Sequence, residues 1–297
     1  MKPAPFTYHR PRSVPEALQV LADVGADGKV LAGGQSLLPL MSMRLASPAH
    51  LVDVNEVPDL ADVTVTDDAV RVGALVRHAA LERHDAAAAA IPLLRQGLRH
   101  VAHATIRNRG TTVGSIAHAD PSGEMPAVLT LLDGTVTAAS VRGEREIGVR
   151  DLFLGALETS LEPDELVVAA TFPRPAAGTG TAVLEVARRH GDYAVVGVVA
   201  AVRLDDAGAV AQARASFVTA GELGTVVDLT DAVRGVHPDA PPPDWAAAGD
   251  LADGLVDVDA DIHATVEYRR QLVRVLTARA LQQAAREAAD AIGRDAA

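Results

Sequence analysis

The chain of 297 residues contains no cysteine. This excludes disulfides, thiolate nucleophiles, zinc ribbons and iron–sulfur clusters held by this chain, so any one-electron metal centre it works with lies elsewhere. Aromatic residues are few, with one Trp, three Tyr and four Phe, which leaves a bound ring system few partners. Cations are outnumbered, 27 Lys plus Arg against 39 Asp plus Glu, for a net charge of −12. A phosphate backbone would have to find a basic patch against that mean field, which argues against nucleic acid as a partner. Long apolar runs are also lacking: the 48% hydrophobic content is mostly alanine, and the longest run, Tyr193 to Val202, is about half a membrane span. The opening MKPAPFTYHRPRSV lacks the apolar core of a signal peptide, so the expectation is a soluble cytoplasmic protein. The length suits about two domains.

Ser13-Val14-Pro15-Glu16 reads as a capping box opening a helix over Ala17, Leu18 and Leu21, closed by the Gly25 to Gly28 turn. Val30 to Ala32, Leu51 to Val54 and Val70 to Ala74 read as strands, Leu37 to Leu45 and Ile91 to Ala104 as helices. Arg107 to Asp120 reads as a loop, Thr135 to Ile147 as a hairpin turning at Arg142-Gly143, and Glu165 to Phe172 as a strand. Pro173 to Gly178 is the expected boundary between a domain over 1–175 and one over 179–292. Beyond it, Thr181 to Arg188, Val195 to Leu204 and Ala209 to Phe217 predict an antiparallel meander. Helices over Trp245 to Val256 and Asp261 to Ala291 close the chain.

Two glycine loops stand out. In Leu31-Ala32-Gly33-Gly34-Gln35-Ser36-Leu37 a Gly-Gly pair between strand and helix lets backbone amides approach an anion, with Ser36 free to offer a hydroxyl or cap the helix. Spacing alone favours a plain tight turn over a cradle. The second, Arg107 to Pro121, concentrates glycines and donors, with Thr111, Ser115 and His118 able to hydrogen-bond a ligand, and is otherwise a polar connection. Neither is a G-x-G-x-x-G or a P-loop, and Gly34-Gln35-Ser36-Leu37-Leu38 lacks the second glycine of a nucleophile elbow. His100-x-x-His103 has ligand spacing without an accompanying carboxylate, so surface or capping roles are the expectation. Tyr193, in a polar turn before a strand, reads as either a ligand-facing aromatic or a strand-end core residue.

Taken together these stretches resemble the FAD-binding medium subunits of the molybdenum hydroxylases, the carbon monoxide, xanthine and nicotine dehydrogenase group, over nearly the whole chain. Ala32 to Leu37 with Pro39-Leu40-Met41 looks like the first FAD motif. Ile106 to Thr111, then Ser115 to Pro121 and Pro126 to Leu129, looks like the second; Asp192-Tyr193-Ala194 and Glu267 to Arg270 with Leu272 resemble C-terminal signatures. The resemblance implies an α+β fold: a two-lobed FAD domain of the vanillyl-alcohol-oxidase (PCMH) type, then a small α+β domain with a three-stranded antiparallel sheet. It implies that Leu31 to Leu37 and Thr111, Thr112, Val113, Gly114 and Ser115 hold the FAD diphosphate. His118 and Glu124 become further FAD contacts, Leu166 a residue on a strand near the flavin, and Tyr193 the aromatic beside its ring.

Two positions depart from the family pattern. Val113 stands where the first glycine of a pair is usual, which implies a longer or differently angled backbone contact. Glu185 stands where many relatives have lysine, which changes the charge near the cofactor if that position faces it. By resemblance the chain collects electrons from 2Fe-2S clusters on a small partner, fed by a molybdenum cofactor on a large partner, in a dimer of heterotrimers. No catalytic acid, base or nucleophile and no metal ligand is assigned to this chain. A stand-alone FAD oxidoreductase and a non-catalytic nucleotide-binding module are the alternatives.

Overall fold

The computed structural model describes residues 2–295 and opens with strand β1 (Thr7–His9) and helix α1 (Val14–Val24). Ser13 Oγ accepts the Glu16 amide at 3.3 Å, and Glu16 Oε2 reaches back to the Arg12 amide at 2.8 Å, one residue before the Ser13 amide expected of a capping box. Gly25, at φ +52°, ends the helix. Then come β2 (Gly28–Leu31), α2 (Leu37–Ser42) and β3 (His50–Asp53), and β3 pairs in parallel with β1 on one side and β2 on the other. A small core of Leu31, Met41 and Leu51 sits under α2.

A second sheet is built from β4 (Val63–Val65), β5 (Ala69–Gly73), β6 (Thr135–Ser140) and β7 (Gly143–Gly148), with the hairpin β8 (Phe153–Gly155) and β9 (Glu158–Thr159) leading into β10 (Leu166–Pro173). Its order is β4-β5-β10-β6-β7, antiparallel throughout. Between β5 and β6 run α3 (His78–Glu82), α4 (Asp85–Ala90), α5 (Pro92–His100), α6 (Ala104–Arg107), α7 (Thr112–His118) and α8 (Glu124–Leu131); the short α9 (Val149–Leu152) follows β7. The stretch 107–120, expected to be a loop, is therefore largely helical. Thr111 caps α7, and Val113 and Ile116, one helical turn apart, are buried; burial on that face outweighs the poor helix propensity of Thr, Val and Gly.

The remaining chain forms β11 (Thr179–Ala187), β12 (Ala194–Leu204), β13 (Val210–Val218), β14 (Val227–Asp228), α10 (Thr230–Val233), α11 (Ala246–Leu255) and α12 (Val266–Asp295). The sheet has four strands rather than the expected three, because the two-residue β14 pairs with Arg214 and Ala215 of β13. Both faces of β12 are covered: Val196, Val198, Ala200 and Val202 pack in a core with residues of α11 and α12, while Val199 and Ala201 join the core of the preceding sheet and helices. That double burial is why its sequence is a continuous apolar run instead of an alternating one.

The last helix starts at Val266, not Asp261. The Asp261 carboxylate accepts the amides of His263 and Ala264 at 2.7 and 2.9 Å, and Thr265 Oγ1 accepts the Tyr268 amide, so 261–265 is a capped turn. Arg269, 3% exposed, donates to the carbonyls of Val195 at 2.6 Å and Thr219 at 3.2 Å and to Asp261 Oδ2 at 2.6 Å, fixing α12 to the ends of β12 and β13. Arg269→Leu is expected to cost about 2 kcal/mol, read as a lower urea midpoint, because it strands the buried Val195 carbonyl and the half-buried Thr219 carbonyl. Gln96, Thr181 and Glu287 join α5, β11 and α12: the Thr181 amide donates to Glu287 Oε2 at 2.7 Å and Gln96 Nε2 to Glu287 Oε1 at 3.0 Å. Among the described residues no helix is long and apolar enough to cross a membrane.

Candidate functional site

Strand β2 ends at Leu31, whose carbonyl accepts the Val54 amide at 3.1 Å, and the chain then turns through Ala32 to Ser36. Gly34 has φ +72°, a conformation that side-chain-bearing residues rarely adopt. Gly33 is required for a different reason. A β-carbon there would lie 2.6 Å from the Arg109 carbonyl oxygen, 2.7 Å from Gly110 Cα and 3.0 Å from the Thr111 amide nitrogen. The two glycine loops are thus in backbone-to-backbone contact.

The amides of Gly33, Gly34, Gln35, Ser36 and Leu37 have no acceptor among the described residues; Leu38 is the first to find one, the Gly34 carbonyl at 3.1 Å. Ser36 precedes α2 but its hydroxyl makes no cap, which leaves it open, and Gln35 Nε2 donates to the Gly33 carbonyl at 2.9 Å. In the second loop Thr111 Oγ1 accepts the Gly114 amide at 3.1 Å, and a side chain at Gly114 would meet that oxygen at 2.4 Å. The Thr112 hydroxyl lies 3.2 Å from His78 Nδ1. Both threonine side chains are buried, 3% and 0% exposed, so of this loop the half-buried Gly114 and Ser115 face outward, with the Val113 amide unpartnered. The Val113 side chain is 1% exposed and packed in the core, so it does not stand on the outward face of the loop.

His118 closes α7, and Ala119, at φ +54°, turns the chain into Asp120, whose Oδ1 accepts the Ser122 amide at 2.9 Å. An acidic corner follows. Glu124, 8% exposed in the first turn of α8, has no partner beyond its own amide, and burial, with a smaller push from Glu185, raises its carboxyl to about 7. Tyr193 is 69% exposed as a residue, but its hydroxyl end is turned into this corner; desolvation there, then Asp120 and Glu124, raises the phenol pKa. Leu166 is core, 3% exposed and paired with Ala139 at the start of β10. Glu185, 8% exposed at its side chain, pairs through Oε1 with His100 Nδ1 at 3.2 Å, a bond that raises the imidazole pKa. The bond satisfies one carboxylate oxygen, while Oε2 is buried without a partner. His103 faces the His190 ring instead, 6.3 Å away, so the two histidines at metal-ligand spacing go to different partners. Among the described residues no group of three or more His, Asp or Glu side chains is placed to hold a metal ion.

Residues the sequence reading missed hold the loops from behind. His78 is 4% exposed, and burial, then the charge of Arg107, lowers its imidazole to about 4. Arg77 and Asn55 bond to both loops, and the nearby Arg109 charge adds to burial in lowering the Arg77 pKa. No sequence signal marks this group, because Asn55 lies 22 positions from Arg77 and each lies more than 20 from the loop carbonyl it holds, so they meet only through the parallel sheet and the exit of β5.

The two perturbed groups give opposite pH slopes. Below pH 6.5 the unfolded chain binds a proton at the histidine that folded His78 refuses, so His78 contributes stability that is lost as pH falls from 6.5 towards 4. Between 4.5 and 7 folded Glu124 keeps a proton the unfolded chain has released, so its contribution falls as pH rises through that window. Over pH 4.5 to 6.5 they nearly cancel. Glu124→Gln is expected to expose the His78 slope: stability rising by about 2–3 kcal/mol from pH 4 to 6.5 in urea titrations, where the parent is flat from these groups.

Open amides from two touching loops, with two guanidinium groups close enough to repel, form a surface suited to an anionic group. Residues 4–175 match the FAD binding domain in molybdopterin dehydrogenase, and residues 182–284 the CO dehydrogenase flavoprotein C-terminal domain. The chain is 39% identical over 289 residues, 96% of each chain, to the 6-hydroxypseudooxynicotine dehydrogenase complex subunit alpha of Paenarthrobacter nicotinovorans. It is 33% identical over 284 residues to the carbon monoxide dehydrogenase medium chain of Afipia carboxidovorans, covering 96% of this chain and 98% of that one. Its structure is similar to quinoline 2-oxidoreductase from Pseudomonas putida 86, with a TM-score of 0.89 and 36% identity over 97% of this chain and 99% of that one. The chain belongs to the FAD-binding flavoprotein subunits of the molybdenum hydroxylases, and is an oxidoreductase component.

Proposed function

We propose that this chain is the electron-transfer subunit of a cytoplasmic molybdenum hydroxylase, a dimer of heterotrimers, with residues 1–175 as the FAD-binding unit and 179–292 as the C-terminal unit. A chain without cysteine leaves the 2Fe-2S clusters to a small partner and the molybdenum cofactor to a large one. FAD, when bound, supplies a two-electron store between the one-electron clusters and an external acceptor. The protein supplies position and electrostatics. The open amides of Gly33 to Leu37 and of Val113 take diphosphate oxygens, with the hydroxyls of Ser36 and Ser115 beside them. Thr111 and Thr112, their hydroxyls engaged internally, shape the second loop and contribute backbone. Leu31 and Leu166 form buried support, while His118, Glu124 and Tyr193 bound the acidic end of the site.

The observation that carries this reading is the backbone contact between two loops that leave the amides of Gly33 to Leu37 and of Val113 unpartnered. A visible spectrum of the protein purified alone, and again after FAD addition and desalting, tests it. Flavin bands near a ~1:1 ratio support the assignment. No flavin in the isolated chain, and none after co-expression with the two partner chains, overturns it. Substrate oxidation by the flavin-loaded chain alone supports a stand-alone oxidase instead.

A further inference from the structure

Asn55 and Arg77 lie outside both glycine loops, yet they join them. Arg77 is already tied to the second loop by its backbone neighbours: the His78 amide donates to the Gly110 carbonyl at 2.9 Å and the Thr112 amide to the Val76 carbonyl at 3.2 Å. Its side chain then reaches two acceptors, the Arg109 carbonyl at 2.5 Å and Asn55 Oδ1 at 2.6 Å. Asn55 passes the connection on, because its Nδ2 donates to the Ala32 carbonyl at 2.8 Å. Asn55 is itself held by Asp53, whose Oδ1 accepts both its backbone amide at 2.9 Å and Nδ2 at 2.6 Å, and Tyr8 donates to the other Asp53 oxygen at 2.6 Å.

The carbonyls at the two ends of this chain immediately precede Gly33 and Gly110. In a trans peptide the C=O and the following N–H point in opposite directions. Turning the Ala32 carbonyl toward Asn55 therefore fixes the Gly33 amide on the opposite side of the backbone, where it has no protein acceptor. We infer that Arg77 and Asn55 form a clamp that sets the spacing of the two loops and the direction of the Gly33 amide, as positioning residues for the cofactor. This rests on the function proposed above. The clamp needs a planar fork at position 77, since one group must serve a carbonyl and a side-chain amide oxygen in fixed directions, which an ammonium cannot do.

The test uses Arg77→Gln, Arg77→Lys, Arg77→Ala and Asn55→Ala in the full chain. Each is expected to weaken FAD binding about tenfold to a hundredfold, the weight of one charge-assisted hydrogen bond, with little change in Tm. Millimolar guanidinium is expected to restore binding to Arg77→Ala and to none of the others. In flavin-free protein, hydrogen exchange at the bonded loop amides of Leu38, His78 and Thr112 is expected to rise about tenfold in Arg77→Gln and Asn55→Ala relative to the parent. Parental FAD affinity together with parental exchange in both variants overturns the clamp. If the parent holds no FAD, the FAD reading fails, and the exchange measurement decides the clamp by itself. If the Arg77 variants do not fold, Asn55→Ala, at an exposed position, carries the same two readouts.

Discussion

Gly33→Ala is expected to abolish FAD retention while leaving the chain folded. The added methyl would meet three backbone atoms of the second loop, the nearest at 2.6 Å, and none is the tip of a flexible side chain that could move aside. The loops must part by several tenths of an ångström, which displaces the open amides proposed to take the diphosphate. Overpacking costs about 1–3 kcal/mol, and a contact between two backbones lies at the upper end, so FAD affinity is expected to fall about a hundredfold or more. Quenching of FAD fluorescence on titration measures it directly. Gly34→Ala is the comparison: it faces the φ +72° penalty of about 1 kcal/mol but meets only the side chains of Leu38 and Leu31, which can shift, so it is expected to keep most of the affinity. Equal affinities in parent and Gly33→Ala would show that the two loops do not act on one ligand.

Gly180→Ala is expected to give the larger loss of stability, about 4 kcal/mol, or roughly 10 °C in Tm. Gly180 lies on β11 directly under α12, where a β-carbon would sit 2.1 Å from the Ala284 carbonyl oxygen and 2.3 Å from the Ala288 amide nitrogen. The helix presents Ala280, Ala284, Ala285 and Ala288, all fully buried, so its backbone already rests on the strand with nothing left to trim. Moving α12 outward would also break the bond from the Thr181 amide to Glu287 and disturb Arg269 on the carbonyls of Val195 and Thr219. Thermal unfolding followed by circular dichroism checks the size. The two glycine variants should separate cleanly: Gly180→Ala retaining FAD affinity below its lowered Tm, Gly33→Ala retaining Tm and losing FAD.

The sequence by itself determined the elements whose signals are local. The Ser13 cap, the Gly25 stop, the hairpin at Arg142-Gly143, the meander and the place of both glycine loops are encoded by residues within a few positions of one another, where turn geometry and hydrophobic period act directly. Missing cysteine likewise excluded a thiolate-held cluster on this chain. Where the balance was tertiary, local reading failed. Residues 112–118 are poor helix formers that become helical because Val113 and Ile116 are buried, and β14 exists only because β13 offers an edge. Only the tertiary structure decided that the two loops touch, that the Val113 side chain turns into the core, and that Glu185 meets His100. It alone brought Asn55 and Arg77 to the carbonyls of Ala32 and Arg109. Those contacts link positions tens of residues apart, and their energy comes from packing and fixed direction, which no short stretch of sequence carries.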